Sequence, residues 1–356
     1  MTQSFDVLVA GGGPAGSTVA LDLSRRGFRV ALIEQSAYDD FRVGETVPPE
    51  IRRLLAGLGV WDQFLASERL ESYGIRTAWE TAAPRHHDFL FNPYGCGWHV
   101  DRARFDAMLA AAAERAGAVL MTSARITAFQ QDAKANWLVE VDHAGKTAML
   151  HARWLLDATG RKASLSSELG CRAEVVDRLI GATALLPTSG NEQCILIESV
   201  ENGWWYSAPL PGARTVFAYM TDSDLWTPSS WPDLLNAAPL TSERASIPAP
   251  CPPVRVVSAA SMLRQPVTGP NWMLVGDAAF AVDPLSGQGI YKTIEAGLQS
   301  AAAIARASEG DTSGLTEYEN WTCESFRSYL AVRRQFYSSV QRWPASPFWQ
   351  RRTASA

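Results

Sequence analysis

The feature that most limits the fold of this chain is a glycine-rich turn between a short apolar strand and a helix. The segment FDVLVA runs into GGGPAG at residues 11–16, in which Gly11, Gly13 and Gly16 have the spacing GxGxxG. The helical segment AGSTVALDLSRRG and a second apolar strand, FRVALIEQ, follow directly. A strand, a tight turn, a helix and another strand in this order predict the βαβ start of a doubly wound α/β domain.

This turn is typical of sites that bind a dinucleotide. Glycines let the backbone approach a pyrophosphate, whose charge is favoured by the amides and the dipole at the start of a helix. Glu34 ends the second strand about 20 residues after Gly13, where an acidic residue accepts hydrogen bonds from ribose hydroxyls. A structural turn with a capping glutamate is the alternative. The strand–helix–strand context favours a cofactor site that also includes Pro14, Ala15 and Gln35.

Two charged segments are expected beside this turn. FRVGETVPP follows the second strand by a short loop and contains Arg42, Gly44 and Glu45. DRARFD opens an amphipathic helix with Arg102, where a cation opposes the helix dipole unless an anion lies near it. An exposed Arg42 and a Glu45 that merely caps the following helix are the simpler alternatives. We expect all four residues to contact the cofactor.

Two more glycine turns follow apolar strands later in the chain. DATGR contains Asp157 and Gly160, and VGDAAFAVDPLSGQG, which starts at Val275, contains Asp277 and Pro284 and precedes a long helix. Asp277 is expected to bind the polyol chain of a flavin, and backbone amides of the second turn suit the ring edge that is negative in a reduced flavin. Proline fixes that turn without offering an N–H. The expected contacts of this turn are Pro284, Gly287, Gln288 and Gly289.

Composition excludes several other classes of function. The 356 residues carry a net charge of -5 and no long basic run, so nucleic acid is not an expected partner. Five scattered cysteines without a CxxC motif indicate neither a redox dithiol nor a cysteine-based zinc site, and they favour a cytoplasmic protein. No segment has the pattern of a signal peptide or the length of a membrane span. His86 and His87 would point to opposite faces of a strand, so no metal site is expected.

The order of the elements predicts two interleaved domains. Segments typical of a parallel sheet lie at both ends and in the middle of the chain. PPEIRRLLAGLGVWDQFLAS has helical spacing, whereas YGIRTAWE and HDFLFNPYG alternate like sheet strands. Between residues 180 and 262 the pattern is that of an antiparallel sheet. We expect a discontinuous cofactor domain at 1–75, 98–179 and 266–343, with an inserted substrate domain at 76–97 and 180–265.

Taken together, these motifs resemble the single-component FAD-binding fold of flavin monooxygenases, flavin-dependent halogenases and geranylgeranyl reductases. The resemblance rests on GGGPAG, FRVGET, DRARFD, DATGR and VGDAAFAVDPLSGQGI, and it covers most of the chain. It implies a Rossmann-like FAD-binding domain of the p-hydroxybenzoate hydroxylase type with an inserted antiparallel substrate sheet. It also implies that FAD is contacted by Gly11, Gly13, Gly16, Glu34, Arg42, Arg102, Asp277 and Gly289.

Two branches of this group are similar to the chain. NGWWYSAPL resembles the halogenase signature GWxWxIP, in which Tyr206 here replaces the second tryptophan. Halogenases also place a lysine in the strand after the GE motif, where this chain has Arg76, and an arginine cannot be tuned as a lysine can. SYGIRTAW, HDFLFNPYGCGWHVDRARFD and GWWYSAPLP look more like the LodB-like flavoproteins of cysteine tryptophylquinone biogenesis.

The resemblance implies a monooxygenase that hydroxylates a protein-bound tryptophan during maturation of a tryptophylquinone in a partner oxidase or dehydrogenase. The alternatives are a hydroxylase or halogenase of a small aromatic metabolite, a reductase of lipid-like substrates, and a flavin-loaded chaperone. In the leading hypothesis, reduced FAD activates O₂ and the indole receives the oxygen. The chain has no second GxGxxG, so either NAD(P)H binds transiently or a separate reductase supplies electrons.

The candidate catalytic residues are His99, Arg76 and Tyr206. The ordinary pKa of histidine suits a general acid or base near neutral pH, although a structural histidine is the more common role. Arg76 and Tyr206 are candidates because they replace the lysine and the tryptophan of the halogenase pattern.

Overall fold

Alternating apolar strands and amphipathic helices produce a mixed α/β fold. The computed structural model describes residues 3–188 and 192–353. In these ranges the strands are β1 Gln3–Ala10, β2 Val30–Ile33, β3 Thr46–Val47, β4 Arg69–Ser72, β5 Gly74–Ala78, β6 Arg85–Asp88, β7 Gly97–Val100, β8 Val119–Met121, β9 Ala124–Gln131, β10 Trp137–His143, β11 Lys146–Asp157, β12 Arg172–Val175, β13 Leu179–Pro187, β14 Ile195–Val200, β15 Gly203–Leu210, β16 Arg214–Asp222, β17 Arg255–Ser258, β18 Met262–Gln265, β19 Thr268–Gly269, β20 Trp272–Leu274 and β21 Phe280–Ala281. The α-helices are α1 Pro14–Arg25, α2 Ile51–Gly57, α3 Trp61–Ala66, α4 Arg102–Arg115, α5 Trp231–Asn236, α6 Pro239–Glu243, α7 Gly289–Ser308, α8 Ser313–Ser338 and α9 Pro347–Thr353.

The first sheet brings the carboxyl ends of several strands to one edge. Its order is β19-β20-β11-β1-β2-β8, and the strands from β20 to β8 run parallel. The register pairs Ala10 with both Ile33 and Asp157, and Asp157 with Leu274. The loops that follow these residues therefore begin side by side, in the crevice where open α/β sheets bind ligands. The predicted α/β class with a Rossmann-like start is confirmed.

Burial follows from the apolar runs of the central strands. β2 is buried along its whole length and β1 is buried from Val7 onward. Continuous apolar runs of this kind are expected in parallel strands that are covered on both faces. Helix α1 packs against α4 and α7, and all three belong to the cofactor half of the predicted fold.

The second large sheet carries the predicted substrate side. Its order is β17-β13-β16-β15-β14-β5-β6, so β6 is its outer strand. Trp79, Trp204 and Trp349 form an edge-to-face cluster between this sheet and α9. The division into two domains stays a prediction.

Two local predictions were wrong. The helical pattern that follows Pro48 is split into α2 and α3, because Gly59 adopts a φ of 58° between them. The strand predicted in HDFLFNPYG ends at Asp88, and the loop beyond it leaves Leu90 80% and Phe91 91% exposed. Alternation alone cannot distinguish a buried strand from a loop that carries apolar side chains.

A buried polar network connects the two halves of the molecule. The fully buried Asp283 carboxylate accepts a hydrogen bond from Tyr337 Oη at 2.7 Å and an ion-pair contact from Arg333 Nε at 3.3 Å. Tyr337 in turn accepts a hydrogen bond from Trp204 Nε1 at 2.9 Å. Helix α8 therefore links β15 of the second sheet to the turn at residues 284–289.

Neither a membrane-spanning helix nor a metal-binding cluster occurs in residues 3–188 and 192–353. None of their helices combines the length and the apolar character that are needed to cross a bilayer. The same residues contain no group of three side chains that could hold a metal ion.

Removing the Tyr337 hydroxyl tests this network. We expect Tyr337→Phe to lower the free energy of unfolding by about 1–3 kcal/mol, because it removes one donor from a buried carboxylate and leaves a buried indole N–H without its acceptor. The matched control is Tyr73→Phe, whose hydroxyl binds only Glu71 at the surface and whose loss is expected to cost less than about 0.5 kcal/mol. Denaturant unfolding of both variants measures the difference, and equal losses would contradict the role of the network.

Candidate functional site

The first glycine turn leaves an open space at the start of α1. Gly11 has a φ of 100°, and a Cβ there would overlap the carbonyl oxygen of Ala158. A Cβ on Gly16 would overlap the carbonyl oxygen of Gly11. By contrast, a Cβ on Gly13 would meet no atom within 4 Å. Gly11 and Gly16 thus serve close backbone packing, whereas Gly13 borders an empty cleft.

Helix α1 directs hydrogen-bond donors toward this cleft. It starts at Pro14, and Gly13 is its N-cap residue without a capping side chain. The amides of Ala15 and Gly16 lie in the first turn, where a helix has no carbonyl to offer them. These donors and the positive end of the helix dipole suit a pyrophosphate.

An acid–arginine network closes the other side of the cleft. Arg42 bridges Glu34 at 2.9 Å and the buried Asp106 at 2.8 Å. Arg102 also binds Asp106, at 3.1 Å, and donates to the carbonyl oxygens of residues 43 and 44. The structure thus brings together Glu34, Arg42, Gly44 and Arg102 as the sequence predicted. Asp106 was missed, although its position four residues after Arg102 in DRARFD indicates an i,i+4 ion pair.

Glu34 is already well satisfied by the protein. One oxygen accepts from the amide of Gly12 at 2.7 Å, and the other accepts from Ser36 Oγ at 2.6 Å and from Arg42. A carboxylate has about four lone-pair positions, so little capacity is left for a ribose hydroxyl. Its predicted contact with a ribose stays a prediction. The neighbouring Gln35 is exposed to solvent.

The predicted residues Glu45, His99 and Tyr206 meet in a buried cluster. Thr46 Oγ1 lies 2.6 Å from Tyr206 Oη and 3.2 Å from His99 Nδ1, and it connects the two rings. Burial lowers the pKa of His99 to about 4, against a smaller opposing effect of the Gln193 backbone. The lowered pKa favours the neutral imidazole, and the role of His99 as an acid or base stays a prediction. Its Nε2 atom has no hydrogen-bond partner within the described residues.

Glu45 is the second unusual group of this cluster. Glu45 is only 2% exposed, and its Oε1 atom has no hydrogen-bond partner in the described part of the chain. Burial raises the pKa of Glu45 to about 7, against smaller opposing effects of its own backbone N–H and of the Arg102 charge. Burial also raises the pKa of Tyr206, with the Glu45 charge adding to the effect. The cluster therefore favours neutral forms and holds a carboxyl group that can release a proton near neutral pH.

Two other predicted residues, Arg76 and Asp157, bind other parts of the protein. Arg76 forms an ion pair with Glu192 at 3.2 Å, whereas its strand neighbours Ile75 and Thr77 line the cavity described below. Asp157 is fully buried and accepts from Thr159 and from the amide of residue 165, so in this structure it fixes its own turn.

The second glycine turn is exposed beside Asp277. Pro284, Gly287, Gln288 and Gly289 all have exposed positions, and a Cβ on Gly287 or Gly289 would meet no atom within 4 Å. Gln288 is the N-cap residue of α7, so the turn presents the start of a long helix. The turn therefore has the open backbone that was predicted for a flavin ring. Gly160, in the remaining turn, also has open space around its Cα and a φ of 69°.

Asp277 is surrounded by positive charge. Its Oδ1 accepts from Lys292 Nζ at 2.8 Å, and its Oδ2 lies 3.8 Å from Arg161 Nε. Burial alone would raise the pKa of Asp277, but the charges of Lys292 and Arg161 hold it below its ordinary value. The side chain remains 25% exposed, so a ligand can reach it.

A cavity of about 730 Å³ adjoins this turn. Its walls come from β5 and β6, from the segment at residues 280–288, and from helices α7 and α8. Aromatic side chains form much of the lining, among them Trp79, Phe280, Trp321, Tyr329 and Phe336. Its volume is in the usual range for a small-molecule site. Neither His99, Tyr206 nor Arg76 lines it.

Comparison with known families decides which cofactor this arrangement holds. The family described as "FAD binding domain" matches residues 4–324, nine-tenths of the chain. The chain belongs to this FAD-binding family. It is an FAD-dependent oxidoreductase, and the open glycine cradle at Gly13 and the exposed turn at 284–289 fit that cofactor.

Individual members of the family align over nearly the whole chain. The putative FAD-dependent oxidoreductase LodB of Marinomonas mediterranea is 31% identical over 369 residues, covering 99% of this chain and 98% of LodB. The myxobacterial chondrochloren halogenase CndH superimposes with a TM-score of 0.89 at 24% identity, over 99% of this chain and 86% of CndH. The peptidyl tryptophan dihydroxylase QhpG superimposes with a TM-score of 0.81 at 24% identity, over 99% of this chain and 79% of QhpG. The two structural comparisons establish the fold.

Substitutions at two glycines of the first turn are expected to affect different properties, namely FAD binding at Gly13 and stability at Gly11. Gly13→Asp supplies a favourable N-cap side chain, so the fold should persist, but its carboxylate fills the cleft and should weaken FAD binding at least about tenfold. Gly11→Ala meets the Ala158 carbonyl at a positive φ and should lower stability by about 1–3 kcal/mol. FAD titration and thermal melts of the two apoproteins separate these effects. Loss of stability in Gly13→Asp would contradict the assignment.

The raised pKa of Glu45 predicts that the stability of the fold depends on pH. Because its pKa is raised in the folded state, the folded chain binds the proton more tightly, and stability falls as pH rises from about 4.5 through about 7. Glu45→Gln removes this loss. The free energy of unfolding of the variant relative to that of the parent protein should therefore increase between pH 5 and pH 8, by at most about 3 kcal/mol. Denaturation at the two pH values measures it. The exposed Glu243→Gln is the control, and an equal response of both variants would refute the prediction.

Proposed function

We propose that this oxidoreductase is a monooxygenase that hydroxylates a protein-bound tryptophan during maturation of a tryptophylquinone cofactor in a partner oxidase or dehydrogenase. The observation that carries the proposal is the aromatic cavity, which adjoins the cofactor turn and opens to the surface. The similarity to LodB and to QhpG, a protein essential for tryptophylquinone cofactor biogenesis, supports it.

The cavity suits an indole ring. Its volume exceeds that of a tryptophan side chain, and its aromatic walls offer edge-to-face contacts to a planar ring. Phe280 and Leu285 belong to the segment that carries the cofactor turn, so a ring in the cavity would lie beside the cofactor. Apolar walls also exclude water, which protects a reactive oxidant from side reactions.

The mouth of the cavity suits a substrate that is attached to a protein. Val332 and Phe336 of α8 line the cavity and are 51% and 55% exposed. On the opposite side, Arg85 and His87 line it from β6, an exposed outer strand of the sheet. A protein loop can therefore approach this rim, and the free backbone of an outer strand offers it hydrogen bonds.

The chemistry follows from the cofactor and the surrounding residues. When bound, FAD supplies the two-electron redox chemistry that activates O₂. Each hydroxylation would use one O₂, two electrons and two protons, place one oxygen atom on the indole and release the other as water. The electrons would come from NAD(P)H or from a separate reductase. The chain itself would hold the cofactor at Gly13 and Asp277 and keep the indole oriented and dry.

The second candidate is a hydroxylase or halogenase of a small aromatic molecule. The high structural similarity to a halogenase and the GWWYSAP segment favour it. Arg76, which occupies the predicted position of the halogenase lysine, is paired with Glu192 and does not line the cavity. This placement favours the protein-bound substrate over halogenation.

Mass spectrometry of a co-expressed precursor tests the proposal. We expect the product of a neighbouring gene to gain mass in whole oxygen atoms on one tryptophan-containing peptide when this chain is present. Gly13→Asp is the matched control, since it is expected to fold but to bind FAD at least about tenfold more weakly. An unmodified precursor, together with turnover of free tryptophan or indole with NADH and bromide, would instead establish the small-molecule enzyme.

A further inference from the structure

One lysine of this chain differs from the other three. The sequence has four lysines among 32 basic residues. Lys134, Lys146 and Lys162 are exposed, whereas the side chain of Lys292 is only 11% exposed. A lysine is costly to bury, so its environment must supply partners for the charge.

The partners of Lys292 belong to the cofactor site. Its Nζ donates to Asp277 Oδ1 at 2.8 Å and to the Phe280 carbonyl at 2.6 Å, and it lies 4.0 Å from the centre of the Phe280 ring. An ammonium group has three donors, so these contacts leave one for a further acceptor. The same side chain also lines the cavity beside the cofactor turn.

The position of Lys292 on its helix is unfavourable for a cation. It is the fourth residue of α7, which begins at Gly289, so the charge lies in the first turn, about 4.5 Å along the axis from the helix start. The positive end of the helix dipole repels it there. Such a placement requires nearby negative charge.

Asp277 alone does not balance the positive charge of this region. Arg161 is the second cation beside it, and the ion pairs of both Arg161 and Lys292 within the described residues are to this one carboxylate. Arg264 adds a third cation, because its guanidinium donates to the Ala278 carbonyl in the same short turn, and Asp157 is the carboxylate that acts on it most. Three cations thus lie near two carboxylates. The surplus of positive charge is complementary to an additional anion.

We propose that Lys292 is a positioning residue of the cofactor site: it fixes the Asp277 side chain and supplies positive charge that favours the anionic reduced flavin over the oxidised form. The oxidised ring is neutral, so a cation near the turn discriminates between the two states. The proposal goes beyond the proposed function, since it concerns FAD itself and holds for any substrate.

The test compares how tightly each variant binds reduced and oxidised FAD. The midpoint potential of bound FAD relative to free FAD gives the ratio of the two dissociation constants. In Lys292→Gln we expect the preference for reduced FAD to fall about tenfold or more, because a unit charge is lost from the cavity beside the cofactor turn. Lys292→Arg keeps the charge and should retain most of the preference. Lys146→Gln, at an exposed lysine, should leave it unchanged.

Asp277→Asn is expected to change the preference for reduced FAD in the opposite direction. Loss of a polyol contact weakens both redox states alike, but loss of the negative charge should raise the preference for reduced FAD. The double variant Lys292→Gln/Asp277→Asn should return toward the parent ratio. A purely structural role for Lys292 would change affinity for both states without moving the ratio.

Two outcomes would overturn the proposal. One is an unchanged ratio in Lys292→Gln, and the other is a shift of the same sign in Lys292→Gln and Asp277→Asn. If Lys292→Gln does not fold, the comparison of Asp277→Asn with the charge-balanced double variant still shows in which direction the Lys292 charge shifts the preference for reduced FAD. The redox measurement does not depend on modification of a precursor, so failure of this proposal is distinct from failure of the proposed function.

Discussion

The site depends on the parallel register of the first sheet. Because β1 is paired with β2 on one side and with β11 on the other, Ala10, Ile33 and Asp157 end at the same level. β20 extends this level to Leu274, although it lies far along the chain. The glycine turn, the acid–arginine network and the turn after β20 are thereby gathered along one crevice. A slip of one residue in this register would move the turns apart and reverse the faces of the buried strands.

Charge is distributed unevenly along this crevice, and the distribution matches the parts of the cofactor. Near the first turn, Arg42 and Arg102 share the buried Asp106, so that their guanidinium groups are held in place and largely neutralised. Near the second turn, Arg161 and Lys292 share Asp277, and positive charge is left over. A neutral, ordered edge suits the nucleotide, whereas a positive one suits a ring that becomes negative on reduction.

The parts of the site that the sequence predicted are those governed by local rules. A GxGxxG turn between a strand and a helix requires its glycines whatever surrounds it, and the i,i+4 spacing made Asp106 predictable as well. The direction of Arg76 depends on the parity of a single strand, which alternation in the sequence does not determine. Burial also could not be read from the sequence, and it affects two other predicted residues. It lowers the pKa of His99, and it leaves Asp157 bonded within its own turn. Lys292 could not be identified, because a lysine in a helical segment usually faces solvent.

The buried network at Asp283 explains how the substrate side can influence the cofactor side. Asp283 directly precedes Pro284 of the cofactor turn, and its carboxylate is held by Tyr337, which also binds Trp204 of the second sheet. Trp204 packs against Trp79, a residue of the cavity wall. A change in the cavity wall can therefore reach the cofactor turn through three packed residues and two hydrogen bonds. Because buried hydrogen bonds are costly to break, this connection resists independent movement of the two sides, and it keeps the cavity aligned with the cofactor turn.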